Sequence, residues 1–362
     1  MKYLFAISTV AIAAAGAVTA QDQVVNIYNW SDYIADDTIE KFQEQTGITV
    51  VYDVYDSNEV LEAKMLTGSS GYDVVVPTGS FLQRQIGAGA YQPLDRAALP
   101  NLVNMDPDLM AAAAAYDAEN EHATIYMWGT TGIGYNIGAV AERLGEDYEV
   151  DSWALIFDPE IAAKLADCGI TMLDAPTEML PAAMNYLGLD PQSIEPADLE
   201  AGAELLTQVR PHIRYYNSSQ YINDLANGDI CVSVGWSGDV FQAQARASEV
   251  DAGVEIGYVI PNEGALQWFD MLAIPVDAPN ADNAHQFINF IMDAQITADI
   301  TNYVWYANAN LASMPLVDEE ITSDPGIFPT EAAKENLWSS PVYNARTDRL
   351  ITRLWTTVKT GQ

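Results

Sequence analysis

The sequence predicts an α/β chain folded as two lobes, with a ligand cleft between them and crossover strands joining them. Three observations carry this expectation. Apolar strand-like runs alternate with helix-like segments near the start of the chain and again after residue 220. A glycine-rich stretch at 129–136 lies between the two blocks. The chain has 362 residues, 49% of them hydrophobic, which is enough for two cores of ordinary domain size. Near-continuous apolar strands between helices imply a parallel sheet covered on both faces.

Each element follows in order. Val24 to Tyr28 reads as a strand, and Asn29-Trp30-Ser31-Asp32 supplies caps for a helix that carries Ile39 and Phe42 and ends at Gly47. Ile48 to Tyr52 is the second strand. Ser57 or Asn58 caps a helix through Leu61 and Met65 that ends near Gly68. Asp73 to Val76 is the third strand, closed by Pro77, and Thr78 or Ser80 opens a short helix. Gly129 to Asn136 has a Gly-x-Gly, but no Lys follows at the phosphate-loop position, so a strand crossing between lobes is the better reading. Ile170 to Leu173 is a strand. Tyr221 to Asn227 is a helix closed by Gly228, Ile230 to Val234 is a strand, and Gly238-Asp239 opens a helix through Phe241. Two more strands, Glu255 to Ile260 and Leu266 to Ile274, precede an amphipathic helix with Phe287, Ile288, Phe290 and Ile291. The expected lobes are 21–129 plus 255–308 and 130–254 plus 309–362.

The first twenty residues stand apart. Lys2 gives a positive start, Leu4 to Val18 is apolar or small, and Val18-Thr19-Ala20 suits a signal peptidase. The expectation is a cleaved secretory signal at 1–20 and export from the cytoplasm. The chain carries 15 Lys and Arg against 51 Asp and Glu, a net charge of −36. Such a chain repels nucleic-acid phosphates, so nucleic acid is excluded as a partner. The acidity can steer cations, within a screening length of about 8 Å at physiological salt, and it also serves solubility. Cys168 and Cys231 are the two cysteines, and in an exported chain they admit a disulfide or two buried thiols.

Catalytic constellations are sparse. His122, His212 and His285 are the three histidines, and none has a second ligand at metal spacing, so no metal and no cofactor is expected. Gly235-Trp236-Ser237-Gly238 falls short of a nucleophile elbow, because Asp239 stands where the last glycine is needed. A secreted enzyme acting on a cationic substrate through paired carboxylates escapes such a search and stays open as an alternative.

Acids and aromatics gather instead at strand ends, where ligands bind in open parallel sheets. Trp30-Ser31-Asp32-Tyr33 follows the first strand, Thr78 the third, Glu178 the strand at 170–173, and Trp236 with Asp239 the strand at 230–234. Period two puts Trp268 and Asp270 on one face of an apolar strand, where a lone buried charge needs a partner. Tyr306 belongs to a late aromatic cluster, Tyr303-Val304-Trp305-Tyr306. Singly, Ser31, Asp32, Thr78 and Asp239 read as helix caps or first-turn residues, and Trp30, Trp236 and Tyr306 as core. Jointly they suit an alkyl diamine: carboxylates grip its charged ends, and aromatic faces cover its methylenes.

The chain resembles the periplasmic polyamine-binding proteins of spermidine/putrescine ABC transporters, and within them the putrescine-binding branch. The resemblance is carried by Ile27-Tyr28-Asn29-Trp30-Ser31-Asp32-Tyr33-Ile34, by Ser57-Asn58-Glu59-Val60-Leu61, by Thr130 to Asn136, by Ser218 to Cys231, and by Tyr306-Ala307-Asn308-Ala309-Asn310. It implies the two-lobed solute-binding fold, no enzymatic turnover, putrescine or another polyamine as ligand, delivery to a membrane permease of an ABC importer, and a monomer. The binding positions it implies are Trp30, Ser31, Asp32, Tyr33, Thr78, Glu178, Trp236, Asp239, Trp268, Asp270 and Tyr306. It also implies a Cys168–Cys231 disulfide. Spermidine-preferring relatives tend to carry an acid where this chain has Ala175, which favours a diamine over the alternative, a spermidine-preferring protein.

Overall fold

A computed structural model of the chain describes residues 23–249 and 253–361. The expected signal segment lies outside the described residues. No described helix is long and apolar enough to cross a membrane.

The strands are β1 (Val24–Trp30), β2 (Thr49–Tyr55), β3 (Val74–Val75), β4 (Ala123–Asn136), β5 (Ile170–Met172), β6 (Ile213–Tyr216), β7 (Val232–Trp236), β8 (Ile256–Val259) and β9 (Leu266–Ala273). They form one sheet in the order β2-β1-β3-β9-β4-β7-β5-β6, with β8 beside β4. The expected parallel sheet holds only in the two arms. β1 pairs parallel with β2 and β3, and β5 pairs parallel with β6 and β7. In the centre β9 runs antiparallel to β3 and β4, and β4 antiparallel to β7 and β8. A strand buried on both faces is equally apolar in either orientation, so composition did not separate the two.

β4 is the long crossover. Its first part, Ala123 to Thr131, pairs with β9, and Ile133 to Asn136 pairs with β8. The buried apolar side chains fall into two clusters, and β4 contributes to both. Ile125, Met127 and Trp128 join Ile27, Phe42, Leu61, Val74 and Phe287 in the first; Ile133 joins Trp153, Leu180, Leu206, Val232 and Trp355 in the second. Removing one such large side chain from water contributes about 1.5–3 kcal/mol, so each cluster sustains its own core. Trp236 and Tyr258 pack against both cores. Late in the chain, Val317, Ile321, Ile327 and Trp338 lie in the first core, and Tyr343, Ile351, Trp355 and Val358 in the second.

Helix starts bear on the site. The first helix is Thr38–Thr46 with Asp37 at its N-cap, so Asn29 to Asp32 do not cap it and the loop after β1 is free for other contacts. Ser57 caps Asn58–Thr67 by accepting from Val60 N. Thr78 stands at the N-cap of Gly79–Gly87 but makes no side-chain cap bond. Cys168 and Cys231 form a disulfide with Cα atoms 5.5 Å apart. Closing a loop with a sequence separation of 63 stabilises the fold by up to about 4 kcal/mol in the chain-entropy model.

Candidate functional site

The ends of β1, β3 and β7, the first part of β9 and the first turns of four helices line one cavity. Each wall follows from its local structure.

Asp270 lies on β9, two residues from Trp268, and both line the cavity as the period-two pattern requires. Its side chain is buried, 4% exposed. Thr78 Oγ1 donates to Asp270 Oδ1 at 2.6 Å, and Tyr33 Oη donates to Oδ2 at 3.0 Å. This explains the idle cap: the Thr78 hydroxyl is turned into the cavity rather than onto its own helix. Asn58 holds Thr78 in place, donating from Nδ2 to Oγ1 at 2.8 Å and accepting from Thr78 N at 3.1 Å.

Asp239 is in the first turn of Ser237–Glu249, after β7. Its carboxylate accepts from Tyr221 Oη and Tyr306 Oη, each at 2.7 Å. Gly238 lets Tyr306 approach, since a Cβ there would meet the Tyr306 ring at 2.4 Å. Glu178 is in the first turn of Pro176–Tyr186. It accepts from Thr131 Oγ1 on β4 and from Trp236 Nε1 at 3.1 and 3.2 Å. Gly129 makes room for Trp268 in the same way as Gly238 does for Tyr306, with the indole 2.8 Å from where a Cβ would stand.

The aromatic walls are interlocked. Trp30 meets Trp236 edge-on at 5.6 Å between centroids, Tyr306 meets Tyr33 at 4.9 Å, and Trp268 meets Tyr306 at 5.5 Å. Trp30 Nε1 is anchored on Val76 O at 2.9 Å, which fixes its ring face. Ser31 completes this side, its backbone N–H donating to Tyr55 O at 3.0 Å.

The electrostatics are one-sided. No Lys or Arg is among the lining residues, and none of the three carboxylates has an ion-pair partner among the described residues. Burial pushes Asp270 up to about 7; Thr78 and Tyr33 pull it down and nearby Asp239 adds to the rise. Burial likewise pushes Asp239 up to about 7 against the hydrogen bonds of Tyr306 and Tyr221, and Glu178 up to about 7 against those of Thr131 and Trp236. Each carboxyl is thus near the middle of its titration at neutral pH, and a cation beside it would favour the charged form.

Ten of the eleven residues expected from the sequence line this cavity: Trp30, Ser31, Tyr33, Thr78, Glu178, Trp236, Asp239, Trp268, Asp270 and Tyr306. Asp32 does not. Its backbone is left-handed (φ 53°), and its carboxylate, 41% exposed, pairs with Arg246 Nη2 at 2.8 Å. Asn58, Phe81 and Ser340 line the cavity without having been singled out as ligand contacts. Asn58 was legible only as a helix cap. Ser340 reaches the site because Trp338 bridges to Leu266 beside β9, a pairing without local sequence signal.

Residues 37–330 match the family described as bacterial extracellular solute-binding protein. The chain belongs to that family. It is 52% identical over 361 residues to the putrescine-binding periplasmic protein SpuD of Pseudomonas aeruginosa (strain UCBPP-PA14), covering 100% of this chain and 98% of that one. It is 51% identical over 348 residues to the putrescine-binding periplasmic protein PotF of Escherichia coli (strain K12), covering 96% and 94%. Among solved structures, a putative spermidine/putrescine ABC transporter protein from Listeria monocytogenes superposes with a TM-score of 0.84 at 31% identity, covering 94% of this chain and 100% of that chain. The fold is the α/β solute-binding architecture expected from the sequence.

Proposed function

We propose that the chain captures a short diamine, putrescine foremost, in the periplasm, and hands it to the membrane permease of an ABC importer without chemical turnover. The observation that carries this reading is the cavity itself: three buried carboxylates without ion-pair partners among the described residues, lined by aromatic faces. Two ammonium ends satisfy two carboxylates through charge-assisted hydrogen bonds, each contributing about 1.5–3 kcal/mol. Trp30, Trp236 and Trp268 cover the methylenes and attract the ammonium charge by about 0.5–2 kcal/mol each. The putrescine-binding names of relatives half identical to this chain support the same ligand. Ala175 itself adds no acid beside Glu178, which supports a diamine over a triamine.

The lobes of this monomer follow the two cores. They divide near residue 129; the packing of Ile256 with the second core and of Leu266 with the first favours a return between 256 and 266, later than the sequence suggests, and the packing of Val317 to Trp338 with the first core favours a last boundary between 338 and 343. Asp32 acts in this scheme through Arg246 at the cleft rim, not as an ammonium contact.

Native mass spectrometry of the chain purified from cells that make diamines tests the proposal. One bound molecule with the mass of putrescine is expected. A bound sugar, peptide or amino acid, or an intact chain that gains no mass when putrescine is added, would overturn it.

A further inference from the structure

Arg84 lies outside the cavity and joins three neighbours: Glu62, Asp348 and the cavity-lining Phe81. It belongs to Gly79–Gly87, whose Leu82 is in the first core. Its guanidinium forks onto Glu62, with Nε to Oε1 and Nη2 to Oε2 each at 2.6 Å. Glu62 lies on Asn58–Thr67, which also packs in the first core through Leu61 and Met65. The remaining nitrogen, Nη1, reaches Asp348 Oδ1 at 2.9 Å and Oδ2 at 3.1 Å. Asp348 is in the first turn of Ala345–Thr360, whose Ile351, Trp355 and Val358 are in the second core. The same guanidinium sits 4.6 Å over the ring of Phe81, and Phe81 lines the cavity.

We infer that Arg84 is the positioning residue that couples lobe closure to the cavity wall. Glu62 and Phe81 hold it ready on the first lobe in both open and closed forms. Asp348 completes its set of partners only when the lobes close. The Arg84–Asp348 contact therefore holds the closed form and, through the guanidinium stacked on Phe81, holds that ring against the bound ligand. The bidentate fork is what makes this specific, because an ammonium in its place satisfies Glu62 or Asp348 but not both in plane. The pairs are only partly exposed, 23% for Arg84, 17% for Glu62 and 33% for Asp348, so solvent does not fully screen them.

This inference rests on the proposed capture of a diamine between two lobes. Putrescine is the probe, followed by the fluorescence of the tryptophans lining the cavity in stopped flow. Asp348→Asn is expected to speed dissociation about fivefold with little change in the association rate. Arg84→Lys is expected to behave like Asp348→Asn, whereas Arg349→Ala, an exposed change one residue away, is expected to match wild type. The thermal midpoint of the ligand-free Asp348→Asn protein should equal that of the wild type, because the contact is absent when the lobes are open. A lowered ligand-free midpoint with an unchanged dissociation rate would show a merely structural ion pair and overturn the inference while leaving diamine capture intact. A wild-type chain that binds no putrescine would overturn both.

Discussion

Asp270→Asn is expected to weaken putrescine binding by about 100-fold or more, since truncating one partner of a buried hydrogen-bonded charge pair costs about 2–5 kcal/mol. The substitution preserves shape, so packing against Trp268 and Tyr33 is retained. What it removes is the negative charge, and it also spoils the local hydrogen bonds. Thr78 and Tyr33 both donate to the carboxylate, one to each oxygen. An amide offers one oxygen to accept and one nitrogen that must donate, so one hydroxyl is left facing a donor. The folded chain should survive this. Burial holds the Asp270 carboxyl up to about 7, which means that ionising it costs the empty protein stability. The ligand-free mutant at pH 8 is therefore expected to melt no lower than wild type. Calorimetry for affinity and differential scanning for the midpoint check both halves. Wild-type affinity in the mutant would remove Asp270 from the ammonium site.

Affinity is expected to climb steeply with pH through neutrality. Alkyl ammonium groups, ordinarily near 10.4, stay charged throughout. The titrating partners are Glu178, Asp239 and Asp270, each pushed up to about 7 by burial. Below that value each is protonated in the empty site and must shed its proton to bind an ammonium. If two carboxylates do so, putrescine binds about 100-fold more weakly at pH 6 than at pH 8, and binding at pH 6 releases protons to the buffer. Stability of the empty chain runs the other way. A carboxyl raised above its unfolded value contributes stability below about pH 4 that is lost as the pH rises through about 7. The thermal shift on adding putrescine should therefore be larger at pH 8 than at pH 5. Titrations in buffers of different ionisation enthalpy measure the protons directly. An affinity flat between pH 6 and pH 8 would show that these carboxylates do not meet the ligand.

Much of the site was legible because it sits where backbone geometry exposes it to pattern. Glu178 and Asp239 fall just after strands, and Trp268 with Asp270 obeys the strand period. Thr78 shows how the bland and the functional readings separate: it occupies a helix N-cap, yet its hydroxyl serves Asp270. Asp32 shows the opposite. Its motif position suggested a ligand contact, but a left-handed backbone turns it toward Arg246, 214 residues away in sequence. In sequence, Tyr221 reads only as a helix residue. That its hydroxyl would lie under Asp239 depends on how that helix packs on β7, which no local pattern encodes. The antiparallel centre of the sheet was hidden for a similar reason, because β4 and β9 are buried along most of their length and lose the alternation that marks a half-exposed strand.

Calorimetric titration of the ligand-free chain with putrescine, with spermidine as competitor and the ligand recovered afterwards, tests the central claim most directly. One putrescine per chain is expected at micromolar affinity or tighter, recovered chemically unchanged, with spermidine binding more weakly. Spermidine binding tenfold tighter than putrescine, or a product in place of the recovered diamine, would contradict it.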